Sequence, residues 1–245
     1  MDKEYAQITG VDIHEDDYFR PKTVTELFDD LDNWDTNPDI LNVYAADSLT
    51  ALSTEMEMED GDKMGMRKAK EMSADLRKRC LVFGDQNILM LATNQLRGGE
   101  GGKKTTPGGE AVKFYSSLRL WIMPSYPSSK IVAKKKIHGV DQEKVVGVRT
   151  TVTCKKNSLD DPFREADIFI VFGYGIDDIR GNLTYIKENK KLKDYELGGA
   201  RIASTINKAI EIVERDNLEQ QLKNETVDLW REIQAAFRTS RKRRA

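Results

Sequence analysis

Several residue types and patterns are scarce in this sequence, and each absence excludes a class of protein. Two cysteines, Cys80 and Cys154, and two histidines among 245 residues argue against a disulfide framework or a Cys/His metal site. No apolar run approaches the roughly 20 residues that a membrane span needs. The opening MDKEYAQITG lacks the basic and apolar regions of a signal peptide. We therefore expect a cytoplasmic protein with reduced thiols and no membrane partner.

The phosphate loop of nucleotide-binding proteins, G-x-x-x-x-G-K-[ST], is also absent from these 245 residues. The net charge of −2 hides a division, because residues 1–62 hold eighteen Asp and Glu but only three Lys and Arg. The rest of the chain is therefore strongly basic. Such asymmetry favours an anionic partner for the basic part, although a solvated surface accounts for most charge runs.

The first half of the sequence alternates between helical and strand patterns. Residues 23–34 and 64–82 carry apolar residues at helical spacing, whereas residues 41–46 and 88–93 are short apolar runs typical of buried strands. This order predicts an α/β fold with a mostly parallel sheet.

The second half is rich in strand patterns and then becomes helical. Residues 118–123, 131–137, 145–154 and 167–172 predict a β meander added to the sheet, and residues 173–181 predict a loop or short turn. From about Arg201 the apolar spacing is helical. We predict a core over residues 1–186 and a small helical appendage with a basic tail over residues 187–245.

An acidic residue follows the strand predicted over residues 41–46. Asp47 and Ser48 lie at its carboxyl end, where open α/β sheets bind ligands. This is the pattern of a Walker B strand, whose Asp positions Mg²⁺ in P-loop ATPases. Many apolar strands end in Asp, so this segment alone also fits a purely structural role.

The segment LATNQLRGGEGGKKTTPGGEAVKFYSSLRL, residues 91–120, is the most informative part of the chain. A strand ends in Asn94-Gln95, a loop with six glycines follows, and an amphipathic segment comes next. This segment resembles the strand, mobile DNA-binding loop and following helix of the RecA recombinases. The resemblance implies that Gln95 senses the γ-phosphate of ATP and transmits its presence to the loop.

Within that resemblance the loop is a single-stranded DNA-binding element. Its basic residues supply the phosphate contacts that dominate nucleic-acid affinity. The candidate DNA-binding residues of the segment are Arg97, Lys103, Lys104, Gly108, Gly109 and Lys113. Read without the resemblance, the segment is a flexible surface linker.

Residues 55–65 resemble the family's other DNA-binding loop, which is acidic here. The resemblance assigns Met64 as a wedging side chain and Arg77, on the helix that follows, as a basic DNA contact. Lys68 and Lys70 are weaker candidates.

A further resemblance concerns the run Val152 to Arg164, which includes Asp161-Pro162-Phe163. In the family this strand and turn lend two lysines across the filament interface to the neighbour's ATP. Lys156 matches the first lysine. Ser158 stands in place of the second, so the second contact departs from the family pattern.

Asp2 and Tyr5 match the family residues that hold the adenine of ATP. In the family, the catalytic Glu and the phosphate loop lie upstream of that Asp. We therefore expect an N-terminally incomplete RecA-like core, the distal product of a split recombinase gene from a phage. The resemblance covers about residues 1–186.

The function implied is homologous recombination and DNA repair by filament formation on single-stranded DNA and ATP-dependent strand exchange. ATP and Mg²⁺ would be shared with a partner half that carries the phosphate loop, in a helical filament. The alternative is a non-enzymatic module that binds DNA or regulates the filament of a complete recombinase. A RecA-fold helicase is a further alternative, but the run PGGEAVKFY argues against it.

Overall fold

The computed structural model describes residues 7, 10, 14, 18–54, 65–98, 104–105, 109–125, 129–239 and 241. The chain divides into two compact units. One unit combines residues 13–119 with 156–162, and the other combines residues 1–12, 120–155 and 163–245. Among the described residues, no helix is both long enough and apolar enough to cross a bilayer.

The first unit is built from helices and a parallel pair of strands. Its elements are α1 (Val24–Asn33), β1 (Asn42–Ala46), a short 3₁₀ helix (Leu49–Ala51), α2 (Gly65–Asp85), β2 (Ile88–Ala92), β3 (Arg97–Gly98), β4 (Lys104–Thr105) and α3 (Gly109–Tyr115). β1 and β2 pair in parallel from Asn42 opposite Ile88 to Ala46 opposite Ala92.

Helix α1 forms as its sequence predicts. The Thr23 side chain caps the helix by accepting a hydrogen bond from the Glu26 amide at 3.1 Å. Its apolar face, with Val24 and Phe28 fully buried, packs in one cluster with Leu49 and Met72. This cluster also contacts one face of the β1–β2 pair through Tyr44, Ala46 and Met90.

The second unit contains an antiparallel sheet followed by helices. Its elements are β5 (Leu118–Pro124), β6 (Lys130–Ile137), β7 (Val140–Asn157), β8 (Glu165–Val171), β9 (Gly175–Ile176), α4 (Asp178–Asn189), β10 (Tyr195–Leu197), β11 (Ala200–Ala203), α5 (Ile206–Arg215) and α6 (Glu219–Ala236). The sheet order is β5-β7-β8-β9, and β6 pairs with β7. This is the meander that the sequence predicted.

The three helices of the second unit enclose a core of their own. Its most buried members are Leu183, Ile186, Ala209, Val213 and Leu222. Helix α4 corrects the predicted loop over residues 173–181, because the helix begins at Asp178. The Asp177 carboxylate caps it by accepting a hydrogen bond from the Arg180 amide at 2.9 Å.

A polar network joins β7 and β8 within this sheet. The Asp167 carboxylate accepts hydrogen bonds from Thr151 at 2.6 Å, Arg149 at 2.7 Å and Ser125 at 3.1 Å. Burial alone raises the pKa of Asp167, but these hydrogen bonds and the Arg149 charge outweigh it and hold the pKa below its ordinary value. Asp167 is therefore held ionised at neutral pH.

Candidate nucleotide and DNA interface

The carboxyl ends of β1 and β2 bring two polar residues together. Asp47 follows β1 and Thr93 follows β2, and the Thr93 hydroxyl donates to Asp47 Oδ1 at 2.5 Å. The Thr93 amide donates to the Ala46 carbonyl at 3.0 Å, which fixes the two strand ends side by side. The peptide bond between Asp47 and Ser48 is cis. Asp47 is exposed, so its carboxylate faces solvent at the end of the strand pair.

Thr50 links this site to the residues that begin the glycine-rich segment. Its hydroxyl donates to Asn94 Oδ1 at 2.5 Å and accepts from the Gln95 amide at 3.0 Å. Thr50 lies in the 3₁₀ helix that follows Asp47 and Ser48. The Gln95 side chain is exposed and makes no hydrogen bond with the described part of the chain. The backbone of Gln95 is thus fixed, while its side-chain amide is available to bind a ligand.

The Asp47 carboxylate fits a magnesium-nucleotide site better than a dedicated metal cage. Mg²⁺ in such sites uses one or two carboxylates together with phosphate oxygens and water. Within the described ranges, no group of three or more His, Cys, Asp or Glu residues is placed to hold a metal ion. Asp47 keeps one carboxylate oxygen, Oδ2, without a hydrogen bond to any described residue. The donor set therefore suits an ion that brings its own phosphate ligands.

One face of the strand pair that carries this site is apolar and uncovered. Val43 lies opposite Leu89 and Ala45 opposite Leu91 on this face. Val43 is 49% exposed, Leu89 43% and Leu91 51%. Parallel strands are normally buried on both faces and read as continuous apolar runs. The second face of this pair therefore has the composition of a buried surface while being open to solvent.

Two basic residues of α2 have different surroundings. Lys68 donates to the carbonyls of Thr50, at 3.0 Å, and Leu52, so its ammonium group helps to hold the segment after Asp47. Arg77 is exposed and forms no ion pair with another described residue. Arg77 is therefore available for the DNA contact that the sequence predicted.

Arg79, which the sequence did not single out, is a structural cation. It is 8% exposed and binds Asp32 through two hydrogen bonds, at 2.7 and 2.5 Å. Asp75 accepts a third at 2.7 Å, and the guanidinium lies over the Phe28 ring. Burial alone would lower the pKa of Arg79, but the hydrogen bonds with Asp32 and Asp75 raise it above its ordinary value.

Lys156 lies at the carboxyl end of α3. Its ammonium group donates to the carbonyls of Lys113 at 3.0 Å and Phe114 at 2.6 Å. The last carbonyls of a helix attract cations because they carry partial negative charge. Lys113 itself forms an ion pair with Glu110 one turn away. Lys113 therefore lies on α3, the helix that follows the glycine-rich segment, whereas Lys156 lies near the end of β7 and contacts the carboxyl end of that helix.

The two ends of the glycine-rich segment pair with each other. Arg97 lies opposite Thr105 and Gly98 opposite Lys104 in the antiparallel β3–β4 pair, and α3 begins at Gly109.

The remaining predicted site residues, Asp2, Tyr5, Met64, Lys103 and Gly108, lie outside the described residues. Sequence reasoning missed Thr50 and Thr93, and it named Lys68 only as a weaker DNA contact, whereas Lys68 holds the segment after Asp47. For Thr93, its position directly after a buried strand was an available signal.

The RecA N-terminal domain family matches residues 1–177 of the chain. The RecA protein of Thermus aquaticus is 34% identical over 185 residues, which cover 73% of this chain and 51% of that protein. The chain belongs to the RecA family. The RecA of Borrelia duttonii is 31% identical over 182 residues, covering 72% of this chain and 47% of that protein. That of Delftia acidovorans is 29% identical over 240 residues, covering 93% and 62%.

Membership confirms the predicted RecA family and the α/β fold class with a RecA-like core. Within the described residues, the parallel pairing is that of β1 with β2, and the five-stranded sheet carries the antiparallel meander. The chain spans about half the length of the two Thermus RecA proteins that it matches. The matched region contains Asp47, Gln95 and the glycine-rich segment.

Proposed function

We propose that this chain is the distal half of a recombinase that acts in homologous recombination and DNA repair. It binds single-stranded DNA, forms a filament and takes part in ATP-dependent strand exchange. In this proposal, a second polypeptide supplies the phosphate loop and the catalytic Glu. Family membership supports the recombinase class. The proposal of a separate partner half rests on the uncovered apolar face of the β1–β2 pair.

The observation that carries the proposal is the uncovered apolar face next to Asp47. Val43, Ala45, Leu89 and Leu91 form an apolar patch on a parallel strand pair. Burying apolar surface stabilises a complex by about 25 cal/mol per Å², so this patch favours a covering partner. Ligands of open α/β sheets bind at the carboxyl ends of their strands. A partner that covers this face is therefore well placed to complete a nucleotide site at Asp47.

In the completed site, each residue of this chain has a defined task. Bound Mg²⁺ would neutralise charge on the phosphates. Asp47 holds the ion, directly or through water, and Thr93 fixes the orientation of the carboxylate through its hydrogen bond. Asp2, Tyr5 and Ser48 hold the rest of the nucleotide. These assignments follow the resemblance residue by residue.

Gln95 and Thr50 would connect the nucleotide to the DNA-binding segment. The Gln95 amide can donate to a phosphate oxygen or accept from a water. Gln95 lies two residues before the start of β3 at Arg97, and the Thr50 hydroxyl accepts a hydrogen bond from its backbone amide. A shift of Gln95 on nucleotide binding would move the start of the segment that carries Arg97, Lys103 and Lys104. Met64, Arg77, Gly108, Gly109 and Lys113 complete the proposed DNA surface.

Lys156 is proposed to contact the ATP of the neighbouring protomer in the filament. It now donates to the carbonyls at the end of α3, so reaching a neighbour requires exchanging those hydrogen bonds for phosphate contacts. Charge-assisted hydrogen bonds to phosphate are stronger than those to neutral carbonyls, which makes the exchange favourable. This exchange would tie α3 to the nucleotide state of the adjacent protomer.

The test is ATP hydrolysis by the purified chain, alone and with a P-loop-bearing half drawn from the same genome. We expect DNA-dependent hydrolysis from the pair and none from this chain alone. Asp47→Ala should abolish hydrolysis by the pair because the ion loses its protein ligand. Asp39→Ala is the matched control and should leave hydrolysis unchanged. Asp39 is an exposed carboxylate just before the amino end of β1, whereas Asp47 follows the carboxyl end.

Two results would contradict the proposal. Turnover by the chain alone would show that no partner is needed. A pair that binds DNA but never hydrolyses ATP would instead favour the non-enzymatic module that binds DNA or regulates a complete recombinase.

A further inference from the structure

Strands β6 and β7 form a two-stranded ribbon over residues 130–148 that extends beyond the neighbouring strand. The two strands pair from Lys130 opposite Val148 to Ile137 opposite Val140, with a bulge after Ile131. β8 pairs with β7 only from Gly147 onward. Residues 134–145 are exposed throughout. Both faces of this part of the ribbon are therefore open to solvent.

The end of the ribbon has a defined geometry. His138 and Gly139 connect the strands with φ values of 50° and 81°, the positive values at both positions that a two-residue type I′ turn requires. Ile137 and Val140 flank the turn and are 50% and 57% exposed. The turn is thus a tight one with two apolar side chains beside it.

The two faces of the ribbon differ in charge. Directly opposed residues share a face, so one face holds Lys134 with Glu143 and Lys136 with Asp141. Lys134 and Glu143 form an ion pair. This face is balanced, with two cations and two carboxylates over these pairs.

The other face is basic without compensation. Lys135 lies opposite Gln142, and Lys144 lies opposite Ala133. These positions make the two lysines diagonal neighbours, whose separation in a sheet is about 7–8 Å or less. Neither lysine forms an ion pair with any described residue. Ile137 and Val140 continue this same face to the turn, and we call this set of six residues the basic face.

We propose that the basic face binds the phosphate backbone of double-stranded DNA, with the ribbon placed in a groove. The major groove, about 12 Å wide, admits a two-stranded β-ribbon. The exposed residues 134–145 comprise four residues of β6, the two turn residues and six residues of β7. At 3.3 Å per residue the exposed strands reach roughly 15–20 Å, which is enough to enter a groove. The lysines then meet phosphates, and the apolar pair at the turn contacts sugars or base edges.

This contact with duplex DNA lies outside the proposed function. It needs neither ATP nor a partner half, and it involves residues outside the glycine-rich segment. The charge division between the faces is what distinguishes it from a solvated hairpin. A hairpin that needed only solubility would not require all of its carboxylates on one face.

The experiment is a fluorescence-anisotropy titration of a 30-base-pair duplex with the full chain at several salt concentrations. The test variant is Lys135→Ala with Lys144→Ala. The matched control is Lys134→Ala with Lys136→Ala, which removes the same charge from the other face. We expect the test variant to bind the duplex more weakly and to lower the slope of log K against log salt by about 1.8, since each phosphate contact contributes about 0.9.

The control variant should change the slope by much less. Ile137→Ser should weaken duplex binding without changing the slope, because it removes no charge. Equal effects of the test and control variants would mean that only net charge matters, and they would overturn the proposal. So would a test variant that binds the duplex as the unaltered chain does.

A second arm with single-stranded DNA separates this proposal from the proposed function. Lys103→Ala with Lys104→Ala should weaken single-strand binding, whereas the variant of the basic face should not. An equal loss on both DNA forms with the basic-face variant would overturn the assignment to duplex. If that variant instead loses self-association in sedimentation while duplex binding is unchanged, the basic face meets the acidic part of a second copy, and the proposal is wrong.

Discussion

Gln95 combines a backbone held by Thr50 with a side chain that makes no hydrogen bond with any described residue. Thr50 accepts a hydrogen bond from the Gln95 amide and donates one to Asn94. The side chain of Gln95 is exposed. The arrangement favours an amide that acquires a partner when nucleotide is bound.

We predict that Gln95→Ala uncouples nucleotide from DNA while leaving the fold intact. Stability should change by no more than about 0.5 kcal/mol, because the deleted group makes no hydrogen bond with the described residues. Coupling requires contacts that differ between the two states, and this change removes the proposed one. The measurement is single-stranded DNA affinity of the reconstituted pair with an ATP analogue and with ADP.

The unaltered pair should bind DNA more tightly with the analogue, and the variant should show little difference. Gln220→Ala, which deletes an exposed amide on α6, is the control and should keep the full nucleotide effect. A Gln95 variant that also keeps it would reduce Gln95 to a strand-end residue.

At the scale of elements, α1 and α2 are held together by a charge cluster as well as by apolar packing. Arg79 of α2 is the centre of that cluster and binds Asp32 of α1 and Asp75 of its own helix. Asp29 lies 3.8 Å from the same guanidinium. Because α1 and α2 form the layer beneath the β1–β2 pair, this cluster supports the strand that carries Asp47.

Arg79→Ala should destabilise the chain by about 2–3 kcal/mol. Removing one partner of a buried ion pair costs about 3–5 kcal/mol, and the value is lower here because the Asp32 side chain is 46% exposed and can be hydrated. Urea unfolding followed by circular dichroism measures the change. Arg77→Ala, two residues earlier and exposed on the same helix, should stay within about 0.5 kcal/mol. Equal losses for the two variants would contradict a structural role specific to Arg79.

The elements with strong periodicity were predictable from sequence, and those defined by single contacts were not. The spacing of Val24, Leu27, Phe28 and Leu31 predicted α1, and the apolar runs predicted β1 and β2. Helix α4 was missed because glycines at 173, 175 and 181 surround its start, while the Asp177 cap and the packing of Leu183 decide the structure. The tether from Thr50 to Gln95 spans 45 residues, and no local pattern encodes it.

At the scale of the whole molecule, charge and apolar surface point to partners of different kinds. The acidic first quarter and the basic remainder fit a chain that meets polyanions on its basic part. The uncovered face of the β1–β2 pair is formed by apolar residues, namely Val43, Ala45, Leu89 and Leu91. That face cannot be a DNA surface, since nucleic-acid affinity depends on phosphate neutralisation. An apolar protein surface is the occupant that its composition favours.

Val43→Thr with Leu91→Thr should therefore weaken assembly with the P-loop-bearing half. Threonine keeps the strand preference of the position but removes apolar surface and adds a hydroxyl. The expected loss is roughly 3 kcal/mol, or about 100-fold in Kd, measured by isothermal titration calorimetry together with hydrolysis by the pair. The same variant should bind less of an apolar dye when alone.

Leu120→Thr with Ile122→Thr is the control, because both residues are at least 50% exposed on β5 of the other sheet. Unchanged affinity in the first variant, or an equal loss in the second, would show that the partner half does not cover this face.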